Sequence, residues 1–406
     1  MAKKKRIKLN DQQLMLDASR VADIYHQMTI DLFDQVIDRV RERGTASLED
    51  NPYIWQLEKM SEMGLLNNDN IKLIARYSGV AEEQLRYVIE NEGYKVYKDT
   101  KTQLLESMGG GDFVTNNLIQ TTLANYVNQT TGDIDNLINT TLPKSVRKVY
   151  QAIVEESVAK VVTGLMNPNK AISTTVMKWA EKGFYGFTDK GGKRWRADAY
   201  ARTIIKTTSW RVYREARKAP ADELGIDTFY YSMKPAAREM CAPLQHQIVT
   251  TGQARVEEGE KIFALDDYGY GKPGGCQGIN CGHTMTPFIP GANYKPDLPD
   301  HLANLTPEEA VENANAQSKQ RAIERSIRHS KELLHVANKL DDDELISKYK
   351  GQVKSKQAAM RLYLAQHPFL HRDYSRERYY SDPLREAETE IKLRKQQKKK
   401  AGDPTS

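Results

Sequence analysis

Between Tyr230 and Gly291 the chain reads YYSMKPAAREMCAPLQHQIVTTG, then a polar stretch, then YGYGKPGGCQGINCGHTMTPFIPG. All three cysteines (Cys241, Cys276, Cys281) fall in this segment, with His246 and His283 beside them. Glycine and proline interrupt helices and strands, so a segment dense in both, and in thiols, must fold as a compact, loop-rich module. Nearly everything around it carries helical periodicity. The expected fold class is α+β, predominantly α-helical. It comprises a long helical N-terminal region, a small α/β module bearing the Cys and His residues, and a helical, basic C-terminal tail.

At 406 residues the chain exceeds the size at which one hydrophobic core stops growing. Hydrophobic residues make up 39% and charged residues 28%, a polar balance suited to an extended, helix-rich protein. The expected regions are 1–110 and 111–195, both helical, 196–300, the α/β module, and 301–406, a helical extension. Three cysteines in so long a chain argue against a disulfide-stapled secreted protein. No apolar run approaches the ~20 residues that span a bilayer. The basic start lacks the apolar stretch of a signal peptide, so the expectation is a soluble protein made in a cytosol, with no membrane partner.

The net charge of +6 is concentrated in part at the ends. Lys3, Lys4, Lys5, Arg6 and Lys8 open the chain, and Lys392, Arg394, Lys395, Lys398, Lys399 and Lys400 nearly close it. Such tails can sit on phosphate backbones by counterion release without reading a base, or they can be solvated ends. Tyrosine outnumbers phenylalanine 21 to 8, which suits half-buried interfaces as well as a polar surface.

From Asp11 to Arg43 apolar residues recur every three or four positions, giving one long helix stopped at Gly44. Asn51-Pro52 opens a short helix. Two further helices, Asn68–Tyr77 and Ala81–Tyr97, flank Ser78-Gly79. Others are expected over 113–128, over 134–165 with a break at Pro143, over 169–182 and over 197–218. The stretch GFTDKGGKR (Gly186–Arg194) reads as a loop, and strands are expected at 228–233, 247–251 and 261–265. Thr306-Pro307-Glu308-Glu309 caps a last helical region broken near Asp341–Asp343. From His367 the chain is charged, tyrosine-rich and partly extended before its basic end.

Residues Ile71–Val88 fit a helix-turn-helix template. The second helix, however, carries Glu82, Glu83, Glu90 and Glu92 against Arg86 alone, which argues for an ordinary helical hairpin. Gly269-Tyr-Gly271-Lys-Pro-Gly274 spells G-x-G-x-x-G but lacks the strand-to-helix context of a dinucleotide site. The spacing Cys241-x4-His246, then Cys276-x4-Cys281-x-His283, offers five candidate ligands for a structural metal, zinc by donor type. Buried free thiols with hydrogen-bonded histidines, or a disulfide formed late, stay open as readings of the same residues. A Cys–His pair could also be nucleophile and base. No third orienting residue stands out, so the expectation is a protein without catalytic activity.

The run from Ala201 to Gly291 resembles the head-morphogenesis module of tailed-phage minor capsid proteins. The residues that carry the likeness are ARTIIKTTSWRVYREARKA (Ala201–Ala219), then Arg238-Glu-Met-Cys241 and Leu244-Gln245-His246. Gly275-Cys276, Asn280-Cys281-Gly282-His283, Pro287 and Pro290-Gly291 complete it. The likeness is to the Gram-positive phage minor capsid protein 2 family, related to Mu F-like proteins. It implies a structural virion component near the portal vertex or head interior, present in the host cytoplasm during assembly. Its implied partners are the portal, capsid or scaffold proteins and packaged DNA, with roles in head assembly, DNA packaging and DNA ejection. A zinc-containing nucleic-acid-binding protein without catalytic activity is the alternative.

Overall fold

The computed structural model describes residues 5–6, 12–42, 44–114, 117–188, 192, 194–279, 281–379 and 382–400. Lys3, Lys4 and Lys8 of the basic N-terminus lie outside the described residues. The helices are α1 (Gln12–Arg41), α2 (Ala46–Asp50), α3 (Pro52–Ser61), α4 (Met63–Tyr87), α5 (Gly93–Ser107), α6 (Asn117–Thr140) and α7 (Leu142–Val162). They continue with α8 (Pro168–Lys182), α9 (Ala197–Glu223), α10 (Asp300–Ala303), α11 (Pro307–Leu340), α12 (Asp343–Gln366), α13 (Tyr374–Glu377) and α14 (Pro383–Lys400). The strands are β1 (Lys5–Arg6), β2 (Tyr185–Thr188), β3 (Arg194–Arg196), β4 (Thr228–Tyr231), β5 (Ile248–Thr250), β6 (Arg255–Glu257), β7 (Glu260–Ala264), β8 (Met285–Pro287) and β9 (Asn293–Tyr294). The fold is α+β and predominantly helical, and no described helix is long and apolar enough to cross a membrane.

Several starts and stops follow local chemistry. The Asn51 side chain accepts from the Ile54 N–H at 3.2 Å, capping α3. Thr306 and Glu309 form a reciprocal capping box at the start of α11. Pro143 sits in the first turn of α7, where its missing N–H costs nothing.

Three expectations need correction. The hairpin around Ser78-Gly79 does not form, because α4 runs through it unbroken. Gly79 avoids the left-handed region. Ile74, Tyr77 and Ala81 are buried at helical spacing, and their packing outweighs the ~1 kcal/mol helix penalty of one glycine. The interruption expected after Asn128 is also absent: buried Val127, Thr130, Ile134 and Ile138 continue one stripe along α6. The stretch read as a loop, Gly186–Arg194, instead contributes to an antiparallel pair, β2 with β3.

The chain divides into two compact units. The first lies within Met1–Ser19, Leu85–Thr130 and Ile205–Gln320, the second within Arg20–Gln84, Thr131–Ile204 and Arg321–Ser406. The first unit holds a five-stranded sheet of order β6-β7-β5-β4-β8, antiparallel except for the parallel pair β5–β7. The interior strand β4, TFYY, lies between β5 and β8 and is buried on both faces. Phe229 and Tyr231 join a large core containing all three cysteines, with Leu104, Ala221 and Ala310 from the helices. Tyr230, one position out of phase, joins Ile248, Ile262 and Phe288 on the opposite face.

The second unit is helical with a short hairpin. Its distinctive feature is a buried ionic cluster contributed by α1, by the β3–α9 junction and by α11. His26 Nδ1 lies 2.9 Å from Asp198 Oδ2, and its Nε2 faces Glu332 Oε1 at 3.1 Å. Arg196 bridges both carboxylates, 3.2 Å from Asp198 and 3.7 Å from Glu332. Burial pulls the imidazole pKa down, but hydrogen bonding to the two carboxylates outweighs it and the net shift is upward. Asp198 and Glu332 are both held well below the usual carboxylate range. Burial opposes that shift, while Arg196 and His26 drive it for Asp198 and His26 leads it for Glu332. The two carboxylates that flank His26 thus favour its charged form.

Candidate metal centre

Three of the five candidate ligands converge. Cys241 precedes the 3-10 turn Ala242–Leu244, while Cys281 and His283 lead into β8. Their Sγ, Sγ and Nδ1 atoms all lie within 4.8 Å of one another. Cys241 Sγ is 3.8 Å from Cys281 Sγ, unbonded, and Cys281 Sγ is 3.6 Å from His283 Nδ1. All three side chains are buried, at 1%, 2% and 3% exposure.

The other two candidates take different roles. Cys276 is buried with its Sγ 3.6 Å from the Leu265 carbonyl, and burial pushes its pKa up to about 12. His246 occupies a left-handed turn (φ 59°) entering β5, and its Nδ1 meets the Tyr230 hydroxyl at 3.0 Å. Burial lowers its pKa, helped by Lys295.

Gln245, to which the sequence assigned no role of its own, orients the site. Gln245 Oε1 accepts from the Lys234 backbone N–H at 2.7 Å, which identifies that atom as the amide oxygen. The same oxygen lies 3.0 Å from His283 Nε2, so Nε2 must carry its proton and donate. Burial lowers the pKa of His283 and favours the neutral ring. Its Nδ1 then presents a lone pair toward the sulfurs, the tautomer a metal ligand requires. Adjacency was the available clue: Gln245 sits next to His246, the residue that drew attention instead.

The two thiols titrate as a pair. The hydrogen bond between them draws the Cys281 pKa down and the Cys241 pKa up. The Tyr231 ring stacks on His283, with centroids 5.0 Å apart, and its hydroxyl lies 3.8 Å from Cys281 Sγ. Arg214 clamps the loop by donating to the carbonyls of Gln277 (2.5 Å) and Cys281 (2.9 Å).

Two glycines make that loop possible. A Cβ on Gly275 would fall 1.9 Å from the Gly269 carbonyl oxygen, and one on Gly278 2.0 Å from that of Lys272. The G-x-G-x-x-G spelling thus serves a turn closed on itself, with Gly271 N–H donating to the Cys276 carbonyl and Cys276 N–H to that of Tyr268.

The basic tail is partly occupied within its own unit. Lys395 pairs with Glu83 at 3.0 Å, Arg394 donates to Gln84 Oε1 at 2.6 Å, and Lys392 lines a groove with Glu388 and Asp382. The side chains of Lys398, Lys399 and Lys400 lie outside the described residues.

Comparison with known proteins points one way. The family profile described as phage minor capsid protein 2 matches residues 9–365. A protein named "Structural protein" from Lactococcus phage LL-H is 29% identical over 371 residues, covering 88% of this chain and 98% of that protein. A second "Structural protein", from Lactococcus phage mv4, is 31% identical over 118 residues, covering 29% of this chain and 92% of that protein. No solved structure matches.

Proposed function

The chain belongs to the phage minor capsid protein 2 family, and from that membership we propose that it is a non-catalytic structural part of the phage head. It sits near the portal vertex, assists head assembly by gripping portal and capsid or scaffold neighbours, and touches packaged DNA. One observation carries the non-catalytic part. Cys281, His283 and Gln245 are arranged like a nucleophile, its base and an orienting amide, yet all three are buried. A nucleophilic thiol needs an exposed, activated microenvironment, so this arrangement holds shape. Cross-linking followed by mass spectrometry on purified particles tests the placement. Cross-links to the portal protein are expected, and absence of the chain from purified particles overturns it.

The cluster offers three of the four donors that a tetrahedral structural zinc takes, and zinc is the ion that fits those three. Tetrahedral zinc with Zn–S of about 2.3 Å and Zn–N of about 2.0–2.1 Å spaces two sulfurs about 3.8 Å apart, and sulfur from nitrogen about 3.6 Å. Two of the three observed separations are 3.8 and 3.6 Å, and all three donors lie within 4.8 Å of one another. Cys241, Cys281 and His283 Nδ1 would hold the ion, Gln245 would fix the ring, and zinc would supply cross-linking of three chain segments. Metal analysis of protein purified under reducing conditions should find one zinc per chain, and none after Cys281→Ser. A metal-free, fully folded wild type would overturn this assignment.

A further inference from the structure

A second surface, unremarked in the sequence, has the chemistry of a polyanion contact. From Leu345 to Arg372 the chain contains no aspartate or glutamate but has Lys348, Lys350, Lys354, Lys356, Arg361 and Arg372. At the chain's overall acidic content, about four acids would fall in a stretch of that length. Nearly all of it is α12. Lys350, Lys354 and Arg361 are spaced i, i+4 and i+11, which at 100° per residue places them within about 40° of one another on the helix.

All three are exposed, and none has an ion-pair or hydrogen-bond partner among the described residues. Several other surface cations are paired within the chain. Arg86 pairs with Glu90, Lys218 with Asp222, Lys178 with Glu156 and Arg76 with Glu388. Even the basic tail spends Lys395 on Glu83. Small residues, Ser347, Gly351, Ala358 and Ala365, flank one side of the stripe, and Ile346, Gln357 and Leu364 flank the other. Gly351 is the telling one, since a mid-helix glycine costs about 1 kcal/mol relative to alanine and nothing lies within 4 Å of the Cβ it lacks. No packing need explains it, whereas close approach of a flat, charged partner would.

The geometry points to this face of α12 as the surface that meets the phosphate backbone of double-stranded DNA, bound without sequence preference. Lys350 to Arg361 spans about 16 Å of helix, which is about five base-pair rises of a strand. The inference rests on the proposed contact with packaged DNA and assigns that contact a place other than the basic tail.

The test is salt-dependent binding of the full chain to a random-sequence duplex, by fluorescence anisotropy from 50 to 200 mM salt. Three phosphate contacts contribute about 2.7 to the slope of log K against log salt. The triple variant Lys350→Gln/Lys354→Gln/Arg361→Gln should lose that much slope, with an unchanged melting curve. The double variant Lys350→Gln/Lys354→Gln should lose about two-thirds of it, and it serves if the triple variant misfolds. A slope unchanged in a folded variant overturns the assignment. If deletion of residues 398–406 abolishes binding while the variants retain it, the DNA contact stands and this face is wrong. If the wild-type chain fails to bind duplex at 50 mM salt, both fall. Selective loss of binding to anionic vesicles, with duplex binding intact, also overturns it.

Discussion

Each unit of this protein buries a histidine, and the two are used in opposite ways. In the first unit His283 is neutral, donates through Nε2 to Gln245 and turns a lone pair toward two thiols. In the second, His26 lies between Asp198 and Glu332, which favour its charged form, with Arg196 completing the cluster. One site offers soft donors to a cation, the other supplies its own cation. A buried imidazole takes its charge from what faces it: an amide oxygen with sulfurs gives a ligand, two carboxylates give an ionic lock.

The largest effect should come from the thiol site. Cys281→Ser, or chelation of the reduced wild type, should remove the proposed metal, which would bind only the folded state. The expected destabilisation exceeds about 4 kcal/mol when zinc is well above its dissociation constant. Thermal unfolding with and without chelator measures it, and a wild-type curve indifferent to chelator would break the contrast between the two histidines.

Next comes His26→Leu, which leaves two largely buried carboxylates with Arg196 alone and should cost about 3 kcal/mol. Its pH signature sharpens the point. Because the folded His26 pKa is raised, its stabilisation is fully present below the unfolded value of about 6.5 and is lost as pH rises through the folded value. Asp198 and Glu332 are depressed, so their contribution is present above their unfolded values of about 3.9 and 4.3 and lost on acidification. The wild-type melting temperature should therefore fall between pH 6 and pH 9 by more than that of His26→Leu. Equal slopes would show His26 to be an uncharged packing residue.

Gly275→Ala is smaller but diagnostic. Its Cβ would strike the Gly269 carbonyl, and overpacking of this kind costs about 1–3 kcal/mol. Because the loop carries Cys276 and leads to Cys281, zinc affinity should fall with stability, a coupling that no substitution in the ionic cluster should produce. Thr306→Ala should have the least effect, about 1 kcal/mol from the lost capping box. It should leave metal content untouched, as metal analysis of the variant would check.

The thiol site was half legible. Cys241, Cys281 and His283 could be singled out because scarce residue types crowd one segment. Their separation from Cys276 and His246 could not, since it depends on which way short strands and turns aim each side chain. Gln245 was hidden because glutamine is common and its role comes from one backbone donor, Lys234 N–H. The ionic cluster gave no local signal at all. His26, Asp198 and Glu332 belong to three distant segments, and each alone reads as an ordinary polar position on a helix. The face of α12 lay between these extremes. An acid-free window was there to be read, but contiguous charge at the chain end is the louder signal, and there Arg394 and Lys395 are already engaged within the chain.

By itself the sequence determined the helical periodicity, the caps at Asn51 and Thr306, the strand-prone TFYY and the α+β class. These rest on interactions spanning a few residues, which a one-dimensional string records. Tertiary structure alone decided that α4 passes unbroken through Gly79, that three of five ligands converge, and that one histidine's surroundings favour the neutral ring and another's the charged one. Those outcomes depend on packing and electrostatics between segments far apart in the chain, where burial strengthens each charge interaction and distance along the sequence carries no information.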